Sequence, residues 1–278
     1  MRAFVFDKYK QPVHEANIPE PTLGDQDVLI RVEAAGLYHL DERIAVDRAD
    51  VALAPMSIST VEAASLPLVA LTAWQALVEK GNVQAGQKVL IHAGAGGVGS
   101  IAIQLAKCLG AEVATTVSGK NADFVRELSA DVVIDYRTQD FEAELSGYDF
   151  VLDPLGGDNL IKSLKVLESG GKAVGISRPP TPTFAKAAGL SPALRLAITA
   201  MSRKVRALAR QLGVSYEFLL MHASGDQLRK IAELVDAGVV RPVVGTTFPF
   251  EQTVQALASL GTTGVRGKAV IIGADQPA

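Results

Sequence analysis

Short apolar runs, each about the length of a strand, recur through the middle of the chain. Most of the stretches between them are helical in pattern or polar. The six runs are KVLIHA (88–93), EVATTV (112–117), ADVVIDY (130–136), YDFVLDPLGG (148–157), GGKAVGIS (170–177) and SYEFLLM (215–221). Six strands at this spacing fit two mononucleotide-binding halves, so the pattern predicts an α/β fold with a doubly wound parallel sheet.

The two ends of the chain follow a different pattern. Residues 2–6 and 28–35 alternate as strands do, and a loop with prolines and a glycine separates them. The last segment predicts helices over 225–238 and 251–260, followed by a strand over 268–272 that would return to the first region. The ends of the chain therefore predict a small β-rich region.

Two further segments carry helix signals. Ser59 or Thr60 can cap a helix, and Pro67 should restart or kink it. We interpret the stretch around 195–210 as one amphipathic helix with a solvated basic face. Its basic residues are Arg195, Arg203, Lys204, Arg206 and Arg210.

The apolar run at 88–93 ends in closely spaced glycines and then changes to helix periodicity. Gly94, Gly96 and Gly99 have the G-x-G-x-x-G spacing. In such a turn the first glycine allows the bend, the second lets the backbone approach a pyrophosphate, and the third lets helix and strand pack closely. The free N–H groups at 97–99 can hold an anion, so the sequence predicts a phosphate cradle. The alternative is a glycine-rich turn that binds nothing.

The next run, 112–117, ends where a dinucleotide site selects its adenosine ribose. An NAD site would place Asp or Glu there, but this chain has no carboxylate at that position. A 2′-phosphate would instead meet the Ser118 hydroxyl, the Lys120 ammonium and the Asn121 amide, with Arg126 one turn later. The pattern favours NADP, and the alternative is a solvated loop.

Other candidate residues follow the remaining predicted strands. Ligands of open α/β sheets lie beyond the carboxyl ends of the strands, so these residues could converge on one crevice. They are Ser118, Tyr136, residues 153–157, Ile176, Ser177, Phe218 and Leu219.

Composition adds limits on compartment and partners. The chain has 278 residues, 48% of them apolar, and a formal net charge of −3, which gives no general field for nucleic acid. Cys108 is the only cysteine, so an internal disulfide and a thiolate metal cage are excluded. We see no apolar signal region and no uninterrupted membrane span. We therefore expect a cytoplasmic protein with no membrane and no nucleic-acid partner.

Several motifs in order resemble one family over nearly all the chain. They are LPLVALTAWQAL (66–77), VLIHAGAGGVG (89–99), VVIDYR (132–137), LDPLGG (152–157) and GVRGKAVI (264–271). The family is the zinc-independent quinone oxidoreductase branch of the medium-chain dehydrogenase/reductases. The resemblance implies a GroES-like domain from residues 1–70 and 223–278, and a Rossmann domain over 71–222, with NADPH and substrate in the cleft between them.

The resemblance also implies roles for individual residues. The implied contacts are Gly94, Gly96, Gly97 and Val98 with the pyrophosphate, Ser118, Lys120 and Tyr136 with the adenosine phosphate, Thr72 with the nicotinamide half, and Leu155 and Ile176 with the nicotinamide ribose. Taken alone, Thr72 could be a helix residue bonded to its own backbone, and Tyr136 could be the polar end of a strand.

Zinc ligands of the zinc-dependent relatives are missing. In those relatives a cysteine follows the A-A-G turn, whereas here residues 34–36 lead to Leu37 and Tyr38, and the later G-H-E element is absent. The histidines are scattered without ligand spacing, at His14, His39, His92 and His222. We therefore predict no metal. Tyr38, where zinc-free relatives commonly have Asn, is by position the best polar candidate for a catalytic hydrogen-bond donor, or equally a packing residue.

One departure from the family pattern bears on catalysis. The segments 36–44 and 45–55 abut here, whereas full-length relatives have about fifty residues between them. Loss of several strands from the barrel of the GroES-like domain would leave unpaired edges and exposed apolar surface.

The predicted function is zinc-free hydride transfer from NADPH to a small-molecule electron acceptor, a quinone or an α,β-unsaturated carbonyl. The alternative is an NADPH-binding protein with weak or no catalysis, and a homodimer is left open.

Overall fold

The structure is a computed structural model that describes residues 1–5, 12–36, 43–259 and 266–273. The strands in these residues are β1 (Arg2–Val5), β2 (His14–Asn17), β3 (Asp27–Arg31), β4 (Ala34–Gly36), β5 (Arg43–Asp47), β6 (Lys88–His92), β7 (Glu112–Val117), β8 (Val132–Asp135), β9 (Tyr148–Asp153), β10 (Leu167–Gly175), β11 (Ser215–Phe218), β12 (Val244–Pro249) and β13 (Lys268–Ile272). The α-helices are α1 (Thr60–Ala64), α2 (Pro67–Trp74), α3 (Gly97–Cys108), α4 (Ala122–Glu127), α5 (Phe141–Glu144), α6 (Gly157–Val166), α7 (Pro182–Ala187), α8 (Pro192–Met201), α9 (Arg203–Leu212), α10 (Gly225–Asp236) and α11 (Thr253–Ser259).

The chain divides into two compact units. The first unit combines Met1–Leu71 with His222–Ala278, and the second unit is Thr72–Met221. Among the described helices, none has the length and apolar character needed to cross a membrane.

The second unit is built on a six-stranded parallel sheet. Its strand order is β11-β10-β9-β6-β7-β8, so the chain builds outward from β6 in both directions. The predicted doubly wound sheet is confirmed. Its core includes a cluster in which Leu90 and Val151 of the sheet lie with Leu160 and Leu164 of α6 and with Val205 of α9.

Helix α3 is more deeply buried than its sequence pattern predicts. The pattern predicts one apolar face, but the whole of 99–106 is buried, including Ser100 and Gln104. The reason is that α3 packs against β6 and β7 and also against the π-helical turn Gln75–Lys80 that extends α2. The two polar side chains bond within the helix, since the Ser100 hydroxyl donates to the Gly97 carbonyl at 3.1 Å and the Gln104 amide donates to the Ser100 carbonyl at 2.9 Å.

The first unit joins the two ends of the chain. Strand β13 pairs with β12 in parallel and with β4 in antiparallel orientation. The prediction of one strand over 28–35 is wrong, because the chain breaks at Val32 and Glu33 into β3 and β4. Strand β3 pairs with β5, whereas β4 pairs with β13, and the Glu33 carbonyl accepts the Gly273 N–H at 2.7 Å. Alternation of apolar residues cannot show this change of partner.

The predicted point of internal shortening lies inside a regular strand. Ile44 and Ala45 are adjacent residues of β5, and they pair with Ile30 and Leu29 of β3. Further along, Leu53 and Met56 are 93% and 92% exposed. The shortening itself stays a prediction.

The basic segment forms two helices, so the prediction of one helix around 195–210 is wrong. The buried Ser202 separates α8 from α9, and its hydroxyl donates to the Ile198 carbonyl at 2.8 Å. Arg206 donates through Nε to Ser202 Oγ at 3.1 Å and through Nη2 to the Thr199 carbonyl at 3.0 Å. Arg195 Nε likewise donates to a backbone carbonyl. Two of the basic side chains are therefore used to stabilise local structure.

Candidate functional site

The turn after β6 is shaped by its glycines in different ways. A Cβ on Gly94 would collide with Thr115 Oγ1, and a Cβ on Gly99 would collide with the Ala93 carbonyl and lie 2.7 Å from the Gly94 Cα. The protein itself therefore requires these two glycines. At Gly96 the nearest atom, the Ala93 carbonyl oxygen, would be 3.3 Å away, so the space beside it is open enough for a ligand to approach.

The N-terminus of α3 begins at this open position. Gly96 is the N-cap residue, and within the described residues no side-chain hydrogen bond caps the helix there. The first intrahelical bond runs from the Ser100 N–H to the Gly96 carbonyl at 2.9 Å. The N–H groups of Gly97 and Val98 thus belong to an uncapped first turn, where the helix dipole favours an anion. The cradle fits a pyrophosphate.

The predicted adenosine-phosphate residues lie at the ends of β7 and β8. Ser118 directly follows β7 and is 5% exposed, and the buried Asn121 amide lies 3.4 Å from its hydroxyl. Lys120 lies between them on an exposed 3-10 turn. Tyr136 follows β8 with 59% of its surface exposed, and its N–H donates to the Val117 carbonyl at 3.1 Å. The structure thus places Ser118, Lys120 and Tyr136 on neighbouring strand ends.

Asp135, which the sequence analysis missed, adds a carboxylate to this region. It is the last residue of β8, and a Cβ on Gly119 would come 2.5 Å from its Oδ2. Its Oδ1 accepts the Arg137 N–H at 3.0 Å. Arg126, proposed from sequence as a further phosphate ligand, pairs instead with Asp123 at 2.9 Å on the surface. The sequence signal that could have identified Asp135 is its position at the end of β8. Parallel strands β7 and β8 end at the same edge of the sheet, so a residue there lies near the end of β7.

The turn after β9 is held by the fully buried carboxylate of Asp153. Its Oδ1 accepts the N–H groups of Leu155 and Gly156, both at 2.7 Å, and its Oδ2 accepts the Asn159 amide at 3.1 Å. Gly156 has φ of 69°, and a Cβ there would lie 2.8 Å from the Arg178 carbonyl. Leu155 is 53% exposed at the tip of this turn. Asp153 therefore fixes the turn that carries Leu155, for which the family resemblance implies a contact with the nicotinamide ribose.

The remaining candidates follow the outer strands. Ile176 and Ser177 come after β10, and the Ile176 N–H donates to the Asp153 carbonyl at 3.1 Å. Phe218 ends β11 and the buried Leu219 follows it. Because β11 is an edge strand, these two residues lie two strands away from β9 and three from β6.

The last two candidates are Thr72 and Tyr38. Thr72 is buried near the end of α2. Tyr38, the predicted hydrogen-bond donor, lies outside the described residues.

The described residues show no metal centre of recognisable form. Among residues 1–5, 12–36, 43–259 and 266–273, there is no group of three or more His, Cys, Asp or Glu that could hold a metal ion.

Comparison with known families decides the classification. The family model described as zinc-binding dehydrogenase matches residues 128–271, about half of the chain. The chain belongs to this family. The predicted place in the medium-chain dehydrogenase/reductase superfamily, in a quinone oxidoreductase-like branch, is confirmed by the relatives as well.

The relatives are named as oxidoreductases. The mitochondrial NAD(P)H oxidoreductase RTN4IP1 of Mus musculus is 36% identical over 241 residues, which are 84% of this chain and 60% of the relative. The chloroplastic NADPH-dependent alkenal/one oxidoreductase of Arabidopsis thaliana is 34% identical over 84% of this chain and 52% of its own length. This family member thus spans about 60% of the length of the first of these relatives.

Two solved structures share the fold across the chain. The quinone oxidoreductase from Coxiella burnetii has a TM-score of 0.82 at 27% identity, covering 98% of this chain and 99% of its own. The quinone oxidoreductase from Thermus thermophilus, solved also as its complex with NADPH, has a TM-score of 0.77 at 25% identity, covering 98% and 100%.

Proposed function

We propose that this family member binds NADPH at the carboxyl end of the second unit's sheet and transfers a hydride from it to a quinone or an α,β-unsaturated carbonyl, without zinc. The observation that carries the proposal is the open side of Gly96 at the uncapped start of α3. Relatives named as NAD(P)H and NADPH-dependent oxidoreductases support a nicotinamide cofactor.

The polar and charged groups at the end of β7 support selection of the phosphorylated cofactor. The Ser118 hydroxyl, the Lys120 ammonium and the Asn121 amide are the donors that a 2′-phosphate needs. Asp135 opposes an anion in this region, yet its carboxylate is partly satisfied by the Arg137 N–H. An NAD site would need a carboxylate at the carboxyl end of β7, where this chain has Val117, Ser118 and Gly119. The balance favours NADPH.

The chain's own residues would bind and orient the reactants. NADPH, when bound, supplies the hydride. Leu155 and Ile176 present apolar surface at the ends of β9 and β10, which would exclude water from the transferring carbon. The hydride goes to the acceptor carbon, and the developing oxyanion takes a proton from a hydrogen-bond donor or from water. Tyr38 is proposed for that donor on its sequence position alone.

The activity is tested by following NADPH oxidation at 340 nm with a panel of quinones and enones. We expect oxidation that depends on the acceptor and is not changed by metal chelators. If no acceptor in the panel supports NADPH oxidation, the enzymatic proposal is contradicted. Loss of activity on chelation would contradict zinc independence.

A second candidate function is NADPH binding with little or no turnover. It is favoured by the continuous pairing of β5 across Ile44 and Ala45 and by the exposure of Leu53 and Met56, which fit the loss of a barrel segment. That segment would supply part of the water-poor enclosure of the acceptor. Tight NADPH binding in calorimetry together with an inactive acceptor panel would favour this function over the first.

The setting and assembly stay predictions. Two of the relatives are named as mitochondrial and chloroplastic, so the comparisons do not support a cytoplasmic location in particular. A homodimer is likewise an expectation.

A further inference from the structure

A series of buried hydrogen bonds links strands β7, β6 and β9 through Ser163 of helix α6. His92, the last residue of β6, lies 2.9 Å through Nδ1 from Thr116 Oγ1 and 2.9 Å through Nε2 from Ser163 Oγ. Ser163 Oγ in turn lies 3.2 Å from Asp153 Oδ2. These four residues are at most 3% exposed. The imidazole packs edge-on against Phe141, with ring centroids 4.6 Å apart.

The partners fix which imidazole nitrogen carries the proton. Ser163 has one hydroxyl proton, and two acceptors lie within its reach, Asp153 Oδ2 and the Asn159 carbonyl oxygen at 2.8 Å. When the hydroxyl donates to either of them, Ser163 Oγ is left to accept, so His92 Nε2 must donate. His92 Nδ1 is then the acceptor for the Thr116 hydroxyl. Burial lowers the pKa of His92 to about 4, and the Asp153 charge opposes this shift only in part, so the ring is neutral at pH 7.

Each end of this series of hydrogen bonds is connected to a turn of the candidate site. His92 directly precedes the glycine turn, and the Thr116 carbonyl accepts the Gly94 N–H at 3.2 Å. Thr116 lies two residues before Ser118. At the other end, Asp153 holds the N–H groups of the Leu155 turn. One neutral imidazole therefore joins the carboxyl ends of β7, β6 and β9, which carry the adenosine, pyrophosphate and nicotinamide-ribose candidates respectively.

We propose that His92 is a positioning residue that sets the placement of the Leu155 turn relative to the glycine turn and the Ser118 end of β7, through Ser163 on one side and Thr116 on the other. This inference rests on the proposed NADPH site. An apolar side chain could fill the same volume, but it would leave Thr116 Oγ1 and Ser163 Oγ without the imidazole that joins them, so Thr116 would no longer be linked through Ser163 to Asp153.

The tautomer is tested first, in the full chain without any cofactor. Nitrogen-15 NMR of the labelled protein at pH 7 should show His92 as a neutral ring with its proton on Nε2. A ring with the proton on Nδ1, or a charged ring, would overturn the bond arrangement on which the proposal depends. This measurement does not depend on the proposed function.

The positioning role is tested with Ser163→Ala against a matched control, Ser202→Ala. Both serines are fully buried, and each hydroxyl reaches the carbonyl four residues earlier at 2.8 Å, but only Ser163 links His92 to Asp153. We measure the Kd of NADPH and of 2′-phospho-ADP, a fragment that keeps the 2′-phosphate and the pyrophosphate but lacks both the nicotinamide and its ribose. Ser163→Ala should weaken NADPH about tenfold and the fragment less than twofold, because the Leu155 turn keeps its bonds to Asp153 but loses its link to His92. Ser202→Ala should change neither.

His92→Asn provides a second, independent test. The asparagine amide can occupy the place of His92 Nδ1 and keep the hydrogen bond to Thr116, but it cannot reach Ser163. It should reproduce the Ser163→Ala pattern, with NADPH weakened and the fragment spared. Equal weakening of NADPH and fragment in both variants, or no difference from Ser202→Ala, would overturn the proposal. If wild-type protein binds neither ligand, the proposed function fails, and the positioning role fails with it; a wild type that binds both leaves the variants to decide.

Discussion

The glycines of the turn after β6 serve two different needs. One is required for packing within the protein, and another leaves room for a ligand. A Cβ at Gly99 would meet backbone atoms of Ala93 and Gly94, whereas a Cβ at Gly96 would meet only the Ala93 carbonyl oxygen, at 3.3 Å. The sequence predicted three separate roles from the spacing alone. It could not show which of the glycines the protein needs for its own packing, because that depends on the surrounding backbone.

This contrast gives a matched pair of substitutions. Gly96→Ala should leave the free energy of unfolding within about 1 kcal/mol of wild type, since its φ of −79° suits alanine, but weaken NADPH at least tenfold by filling the cradle. Gly99→Ala should destabilise the fold by about 2 kcal/mol or more, because backbone atoms cannot move aside cheaply. Urea unfolding and calorimetry check both. Unchanged NADPH affinity in Gly96→Ala would show that no pyrophosphate lies there.

His92 predicts a loss of stability in acid. Its pKa falls from about 6.5 in the unfolded chain to about 4 in the folded protein, so only the unfolded chain takes up the proton between these values. The free energy of unfolding should therefore fall as the pH drops from about 6.5 to about 4, by up to about 3 kcal/mol from this group. Above a pH of about 6.5 the ring is neutral in both states, so His92 causes no such loss of stability there.

Urea unfolding of wild type and His92→Asn at pH 7.5 and pH 4.5 isolates this contribution, since carboxylates elsewhere affect both proteins alike. The difference in unfolding free energy between the two proteins should shrink at the lower pH. A difference that stays constant would contradict the assigned neutral state of the buried ring.

At the scale of elements, capping residues, prolines and glycines close in sequence predicted which elements form, whereas contacts distant in sequence set where several of them begin and end. The Ser59 cap, the Pro67 restart and the β6-turn-α3 unit follow from residues close in sequence, and each is present. The split of 28–35 into β3 and β4 depends on two different partner strands, and the helix boundary at Ser202 lies at a buried serine. These features come from contacts distant in sequence, which periodicity does not record.

The capping box of α1 gives a prediction at this scale. The Ser59 hydroxyl accepts the Glu62 N–H at 3.3 Å, and the Glu62 carboxylate accepts the Ser59 N–H at 2.9 Å, which also lowers the pKa of Glu62. Ser59→Ala should cost about 1 kcal/mol of unfolding free energy. Differential scanning calorimetry would measure a lower Tm, and NADPH affinity should not change, because α1 lies in the other unit.

At the scale of the whole molecule, the order of the strands determines which candidates can meet. The sequence predicted that residues after six strands lie at one edge, and the strand order now separates them: β7 and β8 extend to one side of β6, and β9, β10 and β11 extend to the other. A dinucleotide centred on the glycine turn would thus place its adenosine end toward Ser118 and its nicotinamide end toward Leu155. The position of Asp135 at the end of β8 was visible in the sequence, but its closeness to Gly119 depends on the pairing of β7 with β8, which periodicity does not record.

The central claim is that this edge binds NADPH through its 2′-phosphate, and a calorimetric titration of NADPH and NADH tests it most directly. Wild type and the double variant Ser118→Ala, Lys120→Ala are compared, with Arg229→Gln as a control that removes an exposed positive charge in the other unit. Wild type should bind NADPH more tightly than NADH, and the double variant should weaken NADPH about 100-fold while changing NADH less than threefold. Equal weakening of both cofactors, or tighter binding of NADH by wild type, would contradict the account.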